Sequence, residues 1–564
     1  MIQPTRQSLW FSPTVAWVLF GVVILILGGY VVYPSLQLVG EGLKFSAITG
    51  LFSSFRSANV RALSNSVWIS LWTVVGSAGV GISLSYLFFR FDFKFKKVLM
   101  SLAVLPLALP PLVGVLAFLF LYGESGILPR SIQLLFNLES IPFSFSGLWA
   151  VLLVHVYSMY VFFYLFCSAA LGNVDRSLVE ASYDTGAGQA RTFFQIILPQ
   201  LRGAIVSSSL LVFMISMASF TAPLMFAGAK NFMTLQIYNY KTNGNLEAAA
   251  TISIVLTAIC LVFLILMEIR SQAKPSTTAS KGATPLAIPI QSGWGRFLAL
   301  SVGLVMLTLL LLPIATIVLI SFVKEGSWTY QVLPQEYTWA NYGNLISQKD
   351  VLEPIINSLQ MASIATTGNV LFGVMAALVL AKGRLPGRGI LRGLAILPFA
   401  IPGTVIAINL IVTFNQPSAL TLGNVLVGSF WMLPLAYFIR HIPLVFRSTL
   451  AALESYDDRM SEASSDLGAS RLQTLRRVVL PSIAPGIMAG ALLTFVTALG
   501  EFVSSIMLYV FDNRPISVEI LSQLRLYDFG AAAAYSVFLM ILIGLSTLVI
   551  RRSGGQTQRA IAPA

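Results

Sequence analysis

The chain has 564 residues, 56% of them hydrophobic and 10% charged, with a mean hydropathy of +0.82 and a net charge of +13. A soluble domain carries about 25% charged residues, so a chain this poor in charge cannot cover its surface for water, and it reads as a membrane protein. Two cysteines (Cys167, Cys260), both inside apolar runs, leave no disulfide framework or CxxC site, and two histidines (His155, His441) far apart in sequence offer no metal-ligand cluster.

Runs of about 20 apolar residues, long enough to cross about 30 Å of hydrocarbon as helices, recur along the chain. Twelve are predicted, centred near residues 26, 76, 110, 159, 214, 259, 309, 369, 404, 434, 496 and 540. The first, Val15 to Leu36, follows a single Arg6 and precedes no small-residue cleavage site, so it reads as a retained signal anchor. With the N-terminus in the cytoplasm, cytoplasmic segments hold 25 of the 35 Lys and Arg residues, including the turns Arg90–Lys97 and Lys382–Arg392. The positive charge is therefore a topology signal, and nucleic-acid binding is a poor reading of it.

The third span carries Pro106 and Pro110 in "LPLALPP", which should break it where neighbours or water satisfy the freed carbonyls. Between spans four and five comes a polar loop, "EASYDTGAGQARTFFQIILP". Glu180 to Asp184 reads as a short helix, and Gly186 permits a backbone conformation that other residues resist. Ala190, Phe193, Phe194 and Ile197 then recur at the i, i+3, i+4, i+7 spacing of an amphipathic helix. Pro199 suits the first turn of the span that follows.

Arg270–Arg296, rich in Ser, Thr, Ala and Pro, reads as a flexible cytoplasmic linker at the midpoint. Beyond it the first half is repeated. "NSVWISL" at Asn65 and "LPLALPP" at Leu105 are answered 292 residues later by "NSLQMAS" and "LPFAIPG", the latter with Pro398 and Pro402. The loop at Glu180 is answered 282 residues later by "EASSDLGASRLQTLRRVVLP" at Glu462, with Gly468, Leu472, Leu475, Val479 and Pro481 in the matching roles. A longer outer loop before span four absorbs the ten-residue shift. Six spans per half make the copies parallel. The expected fold is an all-α polytopic membrane protein of about twelve transmembrane helices. Its two six-span repeats, 1–269 and 297–564 joined by 270–296, are related by a pseudo-twofold axis along the membrane normal.

The two loops resemble the EAA loop of ABC importer permeases, whose pattern is Glu-Ala-Ala, Gly four residues on, and Ile-x-Leu-Pro at the end. Both copies match at Glu, the first Ala, Gly, Leu and Pro, and both depart at the third position, Ser182 and Ser464. Arg476 and Arg477 replace Phe194 and Gln195 in the second copy, so the two surfaces are not equivalent. The resemblance covers about residues 60–265 and 355–550. An amphipathic helix lying on lipid would need no Gly at a fixed place.

The resemblance implies two cytoplasmic ABC ATPase subunits, each receiving one loop in a cleft, and a periplasmic solute-binding protein. Glu180 and Glu462 would make polar contacts, and Gly186 and Gly468 would shape the turn. The docking segments would comprise Ala181, Ser182, Asp184, Phe193, Phe194, Ile197 and Pro199, and Ala463, Ser464, Asp466, Leu472, Leu475, Val479 and Pro481. It also implies a multi-pass protein of the bacterial inner membrane with both termini cytoplasmic. Fusion of both halves into one chain is similar to the iron(III) importers, and thiamine, 2-aminoethylphosphonate and polyamine permeases are the alternatives.

Glu501, in "TALGEFVSS", lies within span eleven, where an ionisable group costs roughly 2.5–3.5 kcal/mol on insertion scales. Its counterpart at the 282 offset is Ser219, and Phe502 answers Phe220. Glu501 is expected to line the path or brace its outer gate, against the alternative of a carboxylate satisfied by neighbouring helices. His155 reads as a hydrogen-bonded structural residue.

The tail "RSGGQTQR" at 552–559 looks like the LSGGQ signature of ABC ATPases. No Gly-Lys-Ser or Gly-Lys-Thr occurs in the chain, so the phosphate-cradling loop of an ATPase is missing. The chain is expected to bind no cofactor, with ATP held by partner subunits. A membrane enzyme would want a HExxH, a GxSxG or a carboxylate pair, and none is found. An ion-coupled secondary transporter would need no pair of Gly-turned cytoplasmic loops.

Overall fold

A computed structural model describes residues 10, 12–54, 56–174, 176–271, 288–289, 293–328, 331–382 and 387–561. In the first half, α1 (Pro13–Leu27) runs through a π turn into α2 (Tyr33–Gly42), followed by α3 (Ala58–Arg90), α4 (Pro111–Tyr122) and α5 (Gly147–Leu171). Then come α6 (Arg176–Asp184), α7 (Gln189–Thr192), α8 (Arg202–Met217), α9 (Met233–Thr242) and α10 (Leu246–Ser271). The second half opens with α11 (Gly293–Ile320), α12 (Lys349–Lys382), α13 (Arg388–Ala400), α14 (Gly403–Phe414) and α15 (Met432–Glu454). It closes with α16 (Asp458–Asp466), α17 (Arg471–Thr474), α18 (Leu480–Leu499), α19 (Val503–Leu508), α20 (Ile516–Arg525) and α21 (Phe529–Ile561). Most of the expected linker, 272–287 and 290–292, lies outside the described residues. Ile288–Pro289 pairs as a two-residue parallel strand with Phe91–Asp92.

Among the described residues nine helices are long and apolar enough to cross a membrane, and eleven segments qualify when two bent helix pairs are each taken as one span. The remaining predicted span, the tenth, centred near residue 434, is α15, a 23-residue helix that carries Arg440, His441 and Arg447 and is accordingly less apolar.

The third spans break where the prolines place them. Leu109 (φ −83°, ψ 130°) and Ile401 (φ −85°, ψ 118°) are both extended, because the ring of a following proline disfavours the helical region. In the second half the break turns the chain by 107° between α13 and α14. Pro106 and Pro398 remain inside helical turns, so Pro110 and Pro402 alone mark the breaks.

Each half is built on a tight helix pair, α3 on α5 and α12 on α15. Gly81 and its repeat partner Gly373 sit at these crossings. A Cβ on Gly81 would lie 2.6 Å from the Tyr160 carbonyl oxygen, and one on Gly373 would lie 2.9 Å from Val445 Cγ1. Small residues let membrane helices approach this closely, which gains dispersion contacts that lipid cannot supply.

The first span of each half crosses to the other half. In the first half α1 packs on α12 and α13, and α2 packs on α14; in the second, α11 packs on α4. The Tyr30 hydroxyl donates to the Leu420 carbonyl at 2.8 Å and the Tyr157 hydroxyl to the Leu310 carbonyl at 3.2 Å, sealing the two crossings. One large apolar core consequently runs through both halves.

Candidate coupling loops and central axis

The loop at Glu180 ends α6 in a left-handed glycine. Gly186 has φ +83°, and Gly468 in the second copy has φ +82°. The Gly186 and Ala187 N–H groups donate to the Tyr183 and Ser182 carbonyls at 2.8 and 3.0 Å. Gly468 and Ala469 repeat the pattern on Ser465 and Ser464 at 2.9 and 3.1 Å. This pairing of the last orphan carbonyls closes a helix when the next residue adopts the left-handed conformation. A Cβ at either glycine would meet nothing within 4 Å. The demand for glycine is therefore conformational and not one of space.

The departure from the EAA pattern has a structural partner. Ser182 Oγ lies 2.9 Å from Thr192 Oγ1, and Ser464 Oγ lies 3.0 Å from Thr474 Oγ1. Thr192 and Thr474 are fully buried. Each hydrogen bond clamps the helix before the glycine onto the helix after it, so serine at the third position is paired with a threonine ten residues on.

After the clamp both loops contain a π turn, Phe193–Ile197 and Leu475–Val479. Pro199 and Pro481 have no N–H for the carbonyl four residues back, and the residue before each proline bonds one position further, Leu198 to Phe193 and Leu480 to Leu475. The loops then diverge. The first turns by 68° into α8, whereas the second continues from Arg471 to Leu499 as one span.

The expected docking segments divide by exposure. Glu180, Ala181, Asp184, Gly186, Phe194 and Pro199 are exposed, as are Ala463, Asp466, Gly468, Leu472 and Pro481. Ser182, Glu462, Ser464, Phe193 and Leu475 are half-buried, Phe193 against the Tyr86 ring at 4.6 Å. Ile197 and Val479, expected to fill a partner's cleft, are buried inside this chain. Ile197 packs on Leu171, Val174, Val179 and Leu201, with Phe193 against the same cluster, so this apolar face is covered by the chain itself. The spacing rule also passed over Leu467, 89% exposed beside Gly468, and Tyr183, whose hydroxyl accepts from buried Arg90 at 3.1 Å.

The second constellation lies on the axis. Phe220 and Phe502, both 1% exposed, face each other with ring centroids 6.1 Å apart. Beside them the halves use different chemistry at matched positions. Glu501, 6% exposed, pairs with Arg440 Nε at 3.0 Å and accepts from the Ser504 N–H at 2.9 Å, capping α19. Ser219 instead meets His155 Nε2 at 2.8 Å, and the other ring nitrogen lies 3.1 Å from Ser216 Oγ. The backbone frame is common to both halves: Thr234 donates to the Ser219 carbonyl at 2.7 Å and Ser517 to the Glu501 carbonyl at 2.8 Å.

A second substitution of charge for neutral polarity stands nearby. Asn65 and Asn357 donate to the carbonyls of Asn231 and Arg514 at 3.0 and 3.2 Å, which makes Asn231 and Arg514 counterparts. Asn231 bonds Gln236 at 3.1 Å, and Arg514 pairs with buried Glu519 at 2.7 Å. Both ion pairs belong to the second half. Glu501 is thus satisfied inside this chain by Arg440 and Ser504. Arg440, 61 positions away, was not legible as its partner. No group of three or more His, Cys, Asp or Glu side chains able to hold a metal occurs among the described residues.

The model of the binding-protein-dependent transport system inner membrane component family matches residues 77–273 and again 369–559, the second start falling 292 residues after the first. The "Probable ABC transporter permease protein y4fN" of Sinorhizobium fredii is 31% identical over 91% of this chain and 90% of its own. The Fe(3+)-transport system permease protein FbpB 2 of Haemophilus influenzae is 25% identical over 97% of this chain and 99% of its own. The sulfate transport system permease protein CysT of Salmonella typhimurium is 31% identical over 38% of this chain and 83% of its own.

Proposed function

Because this chain belongs to the family of binding-protein-dependent transport system inner membrane components, we propose that it is the fused, two-half permease of an ATP-driven importer whose solute is iron(III). Its transport role and its place as a multi-pass inner-membrane protein follow from the family. The proposal adds the solute, the partners and the direction of the termini.

On this reading a periplasmic binding protein delivers the solute to the outer face, and the solute passes between the halves along the axis where Phe220 and Phe502 meet. Two cytoplasmic ATPase subunits supply the force through the loops at Glu180 and Glu462, and ATP stays on those subunits. Both termini are cytoplasmic. The observation that carries the proposal is the pair of loops, which share a left-handed glycine and a Ser–Thr clamp in topologically equivalent places. Iron(III) is favoured because the ferric relative FbpB 2 aligns end to end with both halves, whereas the sulfate relative aligns with a stretch the size of one half.

The test uses the binding protein that this reading expects a neighbouring gene to encode. Its thermal stability is measured against iron(III), thiamine, 2-aminoethylphosphonate, polyamines and sulfate. A shift with iron(III) alone is expected, and a shift with another solute and none with iron(III) would replace it. Uptake that persists after ATP depletion at a clamped ion gradient would reject the importer class.

A further inference from the structure

The two coupling loops are held to the membrane domain by different means. In the first loop Val174 and Val179 are buried in an apolar cluster with Leu171, Ile197 and Leu201. The residues 282 positions later are Tyr456 and Ser461, which cannot form that cluster. Their partner comes from the start of the chain. Trp10, 2% exposed, donates from Nε1 to Ser461 Oγ at 3.0 Å, and its ring meets Tyr456 edge to face at 5.7 Å. The Tyr456 hydroxyl lies 2.7 Å from the same Ser461 oxygen, and Ser461 is fully buried. Burial pushes the Tyr456 hydroxyl above its usual range, so it stays protonated and can donate to Ser461. The serine oxygen then accepts from both aromatic residues at once.

Crossing of α1 to the second half is what brings Trp10 there. A tryptophan near the start of α11, Trp294, is 76% exposed and stacks on Phe297 of its own helix. The first loop is anchored by Arg90 on Tyr183, from within its own half. The position of Tyr183 is Ser465 in the second loop.

We propose that Trp10 is a positioning residue for the second coupling loop: a strut from the N-terminal segment that holds α16 in register for the force-transmitting contact, and that has no equivalent on the first loop among the described residues. An aromatic ring and an indole N–H satisfy both needs of the site, since Tyr456 presents an apolar edge and Ser461 a buried acceptor. The halves can then move only if the N-terminal segment moves with the second loop. This inference rests on the reading of both loops as the docking elements for the ATPases.

The experiment uses the full-length chain in lipid nanodiscs and the assembled importer. Trp10→Ala is expected to speed amide hydrogen exchange in residues 458–474 about fivefold, the effect of losing one buried hydrogen bond, with residues 176–200 unchanged. Adding Tyr456→Val and Ser461→Val, which installs the residues of the first loop, restores protection. In the importer Trp10→Ala lowers solute moved per ATP, and the triple variant recovers it. Unchanged exchange at 458–474, or equal acceleration in both loops, would overturn the strut. Accelerated exchange with normal import per ATP would overturn its role in force transmission. Gly186→Val with Gly468→Val serves as the parallel control. If that variant also imports normally, it is the docking reading that fails, not the strut alone.

Discussion

Phe220 and Phe502 are 282 residues apart in the chain and touch ring to ring, at 6.1 Å between centroids. Residues related by a twofold axis can meet only close to that axis. Their contact therefore locates the line along which the two halves face each other, and both rings are almost wholly buried on it. On the proposed reading, a solute travelling between the halves would have to displace them.

Replacing both rings by leucine should open that line while keeping the site apolar. Phe220→Leu with Phe502→Leu is expected to give proteoliposomes that leak small solutes without ATP. Passive efflux from preloaded vesicles measures it. Vesicles as tight as those with the unaltered chain would show that the rings do not close the path.

The Arg440–Glu501 pair gives a prediction about stability and one about transport. Glu501→Ala leaves a guanidinium in an apolar region and should cost about 3–5 kcal/mol, whereas Arg440→Met with Glu501→Leu should cost far less. Thermal unfolding of the purified chain separates the two variants. Glu501→Gln keeps the shape and the capping oxygen at Ser504, and it is expected to slow uptake while leaving ATPase assembly intact. Unchanged uptake rates would reject a role for the charge.

At Gly186 and Gly468 the demand is for a left-handed backbone, which β-branched residues resist at a cost of about 1–2 kcal/mol and asparagine tolerates better. Gly→Val at both positions should therefore reduce ATP-driven import strongly, with Gly→Asn retaining most of it. If space mattered and not conformation, asparagine would fail as well. Uptake measured side by side for the two double variants decides.

The Ser182–Thr192 clamp predicts a thermodynamic coupling. Ser182→Ala alone strands a buried hydroxyl and should cost about 1–3 kcal/mol, while Ser182→Ala with Thr192→Val removes donor and acceptor together and should recover most of it. A double-mutant cycle read by thermal unfolding gives the interaction, and additive effects would mean that the clamp is not made. The same cycle at Ser464 and Thr474 should give a similar value.

The repeat made much of this legible before any coordinates. Offsets of 292 and 282 paired Pro110 with Pro402, Gly186 with Gly468 and Phe220 with Phe502, and the structure gives each pair the same conformation or brings it into contact. What hydropathy and periodicity missed has physical causes. Ile197 and Val479 are covered by this chain itself, and periodicity cannot tell an apolar face that meets its own chain from one that fills a partner's cleft. Arg440 and Glu501, or Trp10 and Ser461, meet only through the tertiary fold, since neither pair is near in sequence. Nor does an apolar run record which half it packs against.

That last point changes what the covalent join between the halves is for. With α1 packed on helices of the second half, α2 set between α10 and α14, and α11 between α4 and α21, the halves clasp each other as two hands with interlocked thumbs. Cohesion resides in the clasp, and a tether adds chiefly effective concentration and a fixed one-to-one count. Two separate polypeptides ending and beginning within residues 272–287 should therefore still assemble when made together, and should fail to do so when residues 1–42 are withheld from the first.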